Sequence, residues 1–106
     1  MIAIIDYKMG NLRSVENALT RLGAEWVVTS DHDTIRKASH VLLPGVGNDA
    51  EAMANLRERN LCELIRDLRH PVLGICVGMQ VMCRDSEEGN VDCLNIFDAH
   101  VKRFPT

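Results

Sequence analysis

The sequence predicts an α/β domain built on a doubly wound, mostly parallel sheet, and three observations carry that prediction. Short apolar runs alternate along the chain with stretches whose apolar residues recur at helical spacing. The apolar runs lack polar alternation, as expected of strands buried on both faces. The segments that follow them, DYKMGN, LPGVGN and GICVGM, are loop-like and mostly glycine-rich. In such a sheet they gather at the carboxyl ends of the strands, where ligands bind.

The first strand is IAII, stopped at Asp6, with the loop YKMGN and its Gly10 after it. Asn11 is the expected N-cap of a helix whose stripe is Leu12, Val15, Ala18, Leu19 and Leu22, and Gly23 is its stop signal. AEWVV is the second strand, DHDTIRKA a short polar helix or turn, and HVLLPG a third strand ending at Pro44. A helix follows from about Ala50 to Arg59, and Leu61, Cys62, Leu64, Ile65 and Leu68 mark another before Pro71. PVLGIC is the fourth strand. No repeat, low-complexity tract or linker interrupts this order.

A chain of 106 residues with 46% apolar content suits one modest core. Twelve basic and fifteen acidic residues give a net charge of -3 without blocks of either sign, which argues against nucleic acid or an anionic membrane as partner. No apolar run is long enough to span a bilayer, and Asp6 interrupts IAII before it could serve as a secretory signal, so the expected location is cytoplasmic. Cys62, Cys76, Cys83 and Cys93 form no CxxC pair and have no matching histidine cluster, so no metal site is expected. Reduced thiols are the expectation, although spacing alone leaves disulfides open.

Gly74-Ile75-Cys76-Val77-Gly78 has the G-x-nucleophile-x-G spacing of a strand-to-helix elbow, with a strand before it and a helix after. Flanking glycines there relieve the crowding of a strained turn. The N-terminus of the helix favours thiolate at Cys76, and the N–H of Val77 would point towards an oxyanion. The competing reading is a buried structural thiol. Pro44-Gly45-Val46-Gly47 ends the third strand and has backbone N–H groups to offer as a second oxyanion donor, or it is an ordinary turn. It is no phosphate loop, since no Lys-Ser or Lys-Thr follows. Ser86-Glu87-Glu88-Gly89 would turn a carboxylate back towards the elbow to bind an ammonium group, or be a solvated loop. The base is missing: His40 and His70 precede strands at the opposite end of the sheet, His32 lies in a polar connection and His100 in a late β-like segment.

Together, GICVGMQ, LPGVG and SEEG resemble the class I, triad-type glutamine amidotransferases, a flavodoxin-like fold, along essentially all 106 residues. The opening IAIIDYKMGNLRSVENAL and closing IFDAHVKRF resemble most the glutaminase subunits of imidazole glycerol phosphate synthase, in histidine biosynthesis. The resemblance implies that Cys76 attacks the side-chain amide carbon of glutamine, releasing ammonia and leaving a thioester that water hydrolyses. It implies an oxyanion hole from the Val77 N–H and the Val46 peptide, a loop shaped by Gly45 and Gly47, and glutamine held by Gly47, Gln80 and Glu88. No cofactor is implied. The implied partner is a (β/α)₈-barrel cyclase subunit that receives the ammonia.

Lys8 stands where many relatives carry Gly, Asn48-Asp49 replaces a commonly apolar or aromatic pair, and Asn95 occupies a frequent Gly. None falls on Cys76, Gln80 or Glu88, although Lys8 and Asn48-Asp49 are placed to alter contacts with the partner. Family members are roughly twice as long, within the usual size of one domain, and carry their catalytic His and Glu in an H-x-E segment that would lie beyond Thr106. Residues 1–106 are therefore expected to be the N-terminal part of one amidotransferase domain, inactive alone, with uncovered apolar surface that favours association. The alternatives are a non-catalytic flavodoxin-like binding module, a glutaminase serving another synthase, or a different cysteine-elbow hydrolase or isomerase.

Overall fold

A computed structural model of the chain describes residues 1–8 and 12–102. The expected cap Asn11 and the loop glycine Gly10 lie outside them. Four parallel strands form the main sheet: β1 (Ile2–Ile5), β2 (Trp26–Thr29), β3 (His40–Leu43) and β4 (Val72–Gly74), in the order β2-β1-β3-β4. The connections are α1 (Leu12–Arg21), α2 (His32–Lys37) and the pair α3 (Asp49–Glu58) and α4 (Leu61–Asp67), and α5 (Val77–Val81) follows β4. The chain winds one way from β1 to β2 and the other way from β2 to β3. The loops after β1 and β3 therefore open side by side at the switch point of the sheet.

The helix starts are set by local chemistry. The Asp31 carboxylate accepts from the Thr34 N–H at 3.0 Å and caps α2. Asn48 Oδ1 accepts from the N–H groups of Ala50 and Glu51 at 2.8 and 3.2 Å, which starts α3 at Asp49. Gly23 closes α1 at φ +71, a conformation that glycine adopts without strain. Two of the sequence departures have the same explanation. Lys8 and Asn95 take φ 64 and φ 55, the left-handed region in which glycine is the default residue.

Alternation along the strands divides the core. Ala3, Ile5, Val41 and Leu43 face a layer formed by Ile35 of α2, Met53 and Leu56 of α3, Leu61, Leu64 and Ile65 of α4 and Val77 and Val81 of α5. Ile4 is fully buried on the other face, which α1 serves with Leu19 as its one buried residue. The expectation of full cover on both faces fails there: Leu73 of β4 is 58% exposed. Leu22, expected on the buried stripe of α1, is 79% exposed because it lies past the helix end at Arg21.

The last described segment forms a second small sheet: β5 (Asp85–Ser86), β6 (Val91–Asp92) and β7 (His100–Val101), in the order β6-β5-β7. It is tied to the end of α5 by the Leu94 N–H, which donates to Val81 O at 2.8 Å. No described helix is long and apolar enough to cross a membrane.

Candidate active site

Cys76 lies between β4 and α5 at φ 54, ψ -120, a conformation that costs a non-glycine residue on the order of 1–3 kcal/mol. The surroundings enforce it. A Cβ at Gly78 would sit 1.8 Å from Leu43 O, and one at Gly74 would sit 2.7 Å from the Cα of Met79. A side chain at Gly78 would push α5 away from β3, and one at Gly74 would push it away from β4, so the spacing in GICVG reflects close contact of a helix with two strands. The Met79 and Gln80 N–H groups donate to Cys76 O at 3.0 and 3.1 Å and secure the first turn of α5.

The thiol of Cys76 is exposed, and all four cysteines are free. Burial raises the pKa of Cys62 and Cys83, and pushes Cys93 up to about 11, with the nearby Asp49 carboxylate adding to the rise. Those three thiols are held protonated by their surroundings.

The PGVG loop packs against the elbow. Buried Tyr7, from the loop after β1, donates its hydroxyl proton to Pro44 O and so joins the two switch-point loops. Burial, with the Asp49 charge, raises the Tyr7 pKa far above its usual range, so the phenol stays a donor. Gly47 takes φ 105, and Val46 is 52% exposed. The Val77 N–H donates to Gly45 O at 3.1 Å. Since the Gly45–Val46 peptide, like every other described one, is trans, the unit that turns its carbonyl to Val77 turns the Val46 N–H the other way. In this arrangement the two expected oxyanion donors do not converge.

On the far side of α5, Glu88, Gln80, Ser86 and Asp49 form one network. Glu88 Oε1 accepts from the Asp49 N–H at 2.7 Å. The Ser86 hydroxyl donates to Asp49 Oδ2 at 2.5 Å and accepts from the Glu88 N–H at 3.0 Å. The side-chain amide of Gln80 meets the Asp49 carboxylate at 2.7 and 3.1 Å, with its nitrogen assigned to that side because a carboxylate only accepts. Burial raises the Asp49 pKa, the Ser86 hydrogen bond opposes the rise, and the Glu88 charge reinforces it. Gln80, Glu87, Glu88, Val101 and Lys102 line a cavity of about 180 Å³ that Cys76 does not line.

Asp49 and Ser86 are the residues that sequence reasoning missed. Asn48-Asp49 stands out in the sequence only as a departure placed to touch a partner. Instead Asn48 is a helix cap, and Asp49 is fully buried against Gln80, Ser86 and Glu88. Its position right after PGVG, at the start of a helix beneath the sheet end, was the available signal. The histidines are engaged elsewhere: His32 with Arg59 O, His70 with Ile35 O, His40 with Ser39 and His100 with Asp85. None partners Cys76. A larger cavity of about 550 Å³, lined by His32, Arg36, Arg69 and His70 among others, includes no elbow, PGVG or SEEG residue.

The profile described as "Glutamine amidotransferase class-I" matches residues 3–103. Over 103 residues the chain is 57% identical to the imidazole glycerol phosphate synthase subunit HisH of Bacteroides fragilis, covering 97% of this chain and 53% of that protein. The same-named proteins of Bacteroides thetaiotaomicron and Idiomarina loihiensis are 55% and 50% identical at the same coverage. The chain thus spans about half the length of these curated relatives. Among solved structures, a glutamine amidotransferase superposes with a TM-score of 0.78 at 18% identity, covering 94% of this chain and 55% of that one. A Listeria monocytogenes structure described as a peptidase E protein superposes with a TM-score of 0.76 at 16% identity, covering 92% and 62%. At those identities the likeness speaks for the fold alone.

Proposed function

Because the chain belongs to the class I glutamine amidotransferase family, we propose that residues 1–106 are the N-terminal part of a single glutaminase domain with Cys76 as its nucleophile. The observation that carries this reading is the exposed thiol at φ 54, ψ -120, held between two glycines that the contacts of α5 with β3 and β4 require. A free structural thiol has no need of such strain.

The Cys76 thiolate attacks the side-chain amide carbon of glutamine. The carbon–nitrogen bond of the tetrahedral adduct breaks, and ammonia leaves with a proton supplied by a general acid. Water then hydrolyses the thioester to glutamate and free thiol. Gln80 and Glu88 hold the amino-acid end of the substrate, with Gly45 and Gly47 shaping the loop beside it. The Val77 N–H and the Val46 N–H receive the oxyanion once the Gly45–Val46 peptide turns over and releases Val77. That step gives the site an inactive resting state.

The histidines of this chain are committed to other partners, so the general acid and base come from the family's H-x-E segment, and residues 1–106 alone hydrolyse little or no glutamine because thiolate formation and proton delivery to the leaving ammonia both lack their agent. The names of the Bacteroides and Idiomarina relatives support a subunit of an imidazole glycerol phosphate synthase, and on this reading the subunit is cytoplasmic, one half of a heterodimer, and serves histidine biosynthesis. The partner is then a (β/α)₈-barrel cyclase subunit that consumes the ammonia in its lyase reaction.

Labelling tests the nucleophile. A glutamine analogue with a chloromethyl ketone in place of its carboxamide is expected to modify Cys76 well before Cys62, Cys83 or Cys93, as read by peptide mass spectrometry. Equal modification of the four thiols would overturn the assignment. Glutamine turnover by the 106-residue chain near that of a full-length relative would overturn the requirement for a base beyond it.

A further inference from the structure

Asp49 takes no part in the chemistry above, yet among the described residues it is the one buried side chain of a charged type, it accepts from buried Ser86, and both ends of Glu88 are tied to it. We propose that Asp49 is a positioning residue that fixes Gln80 and Glu88 so that they present only acceptors to the α-ammonium group of the amino-acid substrate. The inference rests on the glutaminase reading and adds to it the residue that sets substrate selectivity.

The geometry is specific. A carboxylamide is planar, with oxygen and nitrogen on opposite sides of its carbon. With the Gln80 nitrogen held by both Asp49 oxygens at 2.7 and 3.1 Å, its Oε1 faces away from Asp49. The Asp49 N–H holds Glu88 Oε1 at 2.7 Å and leaves Oε2 to accept. The backbone of Glu88 is fixed as well, through Ser86 Oγ to Asp49 Oδ2. Gln80 and Glu88 line the same cavity of about 180 Å³, with Lys102 also in its wall, so the cavity has partners for both charges of an α-amino acid.

Packing alone does not account for a carboxylate here. An apolar side chain would fill the position without the penalty of burying a charge. Without Asp49 the Gln80 amide is free to rotate, and half of its orientations turn N–H groups towards an incoming ammonium. The loss therefore falls on selectivity for the amino group and leaves the reactivity of Cys76 untouched.

The experiment compares two chloromethyl ketones on the 106-residue chain: the glutamine analogue and its counterpart lacking the α-amino group. Both react by thiolate displacement of chloride at Cys76, and saturation kinetics separate binding from maximal rate. Iodoacetamide serves as a probe of the thiol alone. The chain itself is expected to prefer the amino compound. Asp49→Asn and Asp49→Ala should each reduce that preference about tenfold, the scale of one charge-assisted hydrogen bond, through weaker binding of the amino compound. Ser86→Ala should reduce it by a smaller factor, and iodoacetamide rates should stay constant. A preference unchanged in both Asp49 variants overturns the proposal, and so does a parallel fall in the iodoacetamide rate, which would mark a merely structural role. No preference in the unsubstituted chain would instead overturn the assignment of Gln80 and Glu88 as substrate-holding residues, and the proposal with it.

Discussion

Two rows of side chains cross the sheet from β1 to β4, one on each face. Ala3, Val41 and Val72 are register partners beneath α2 to α5, where Ala3 and Val41 are buried and Val72 packs against the same core. Ile4, Leu42 and Leu73 are partners on the opposite face, and there cover fails from one strand to the next: Ile4 is fully buried, Leu42 half-buried and Leu73 58% exposed. The residues of the second row are no less apolar than those of the first. What differs is the winding, which brings four helices to one face while α1 reaches only the β1 side of the other. The elbow and the Asp49 network sit at the end of the covered layer.

Several substitutions would break or sharpen that contrast. The largest effect is expected at Gly78, where the covered layer meets the elbow. Gly78→Ala places a Cβ 1.8 Å from Leu43 O and should cost about 3 kcal/mol or more in urea melts, with Cys76 losing its lead in labelling. An unchanged midpoint would mean that α5 does not press on β3. Next comes fully buried Leu56, for which Leu56→Ala should cost about 2–4 kcal/mol.

The buried thiols give a smaller, pH-dependent effect. Burial pushes the Cys93 thiol up to about 11 from the 9.0 of an exposed thiol, so its contribution is fully present below pH 9 and is lost as pH rises towards 11. Melts at pH 8 and pH 10.5 should differ by on the order of 1–2 kcal/mol from this group, and Cys93→Val should remove that part of the slope. A slope that persists undiminished in the variant would exclude Cys93 as its source.

The open face should respond least. Leu73→Thr is expected to change stability by no more than about 0.5 kcal/mol while reducing self-association in sedimentation, because it removes a large exposed apolar side chain. A cost comparable to that of Leu56→Ala would show that the row is covered in solution.

Different parts of this molecule were legible to different degrees. The four parallel strands, the capped helices and the GICVG elbow follow from patterns local to a few residues, and each appears at or near its expected place. Lys8 and Asn95, expected from the sequence to stand in place of glycine, occupy left-handed backbone. The Asp49 network was not legible, because its members lie 37 and 39 residues apart in sequence and meet only when β5 packs beside the start of α3. Leu22 and Leu73 read as buried from periodicity, yet periodicity does not say whether anything lies opposite.

By itself, the sequence determined which segments become strands and helices and which cysteine occupies a turn that tolerates only glycine around it, since periodicity, capping and steric clash act over a handful of residues. Tertiary structure alone decided that Val77 donates to Gly45 O, that Asp49 holds Gln80 and Glu88, and that one face of the sheet is covered better than the other. Those outcomes depend on how distant segments approach, and the free energy of such contacts is set by burial and geometry that no short stretch of sequence contains.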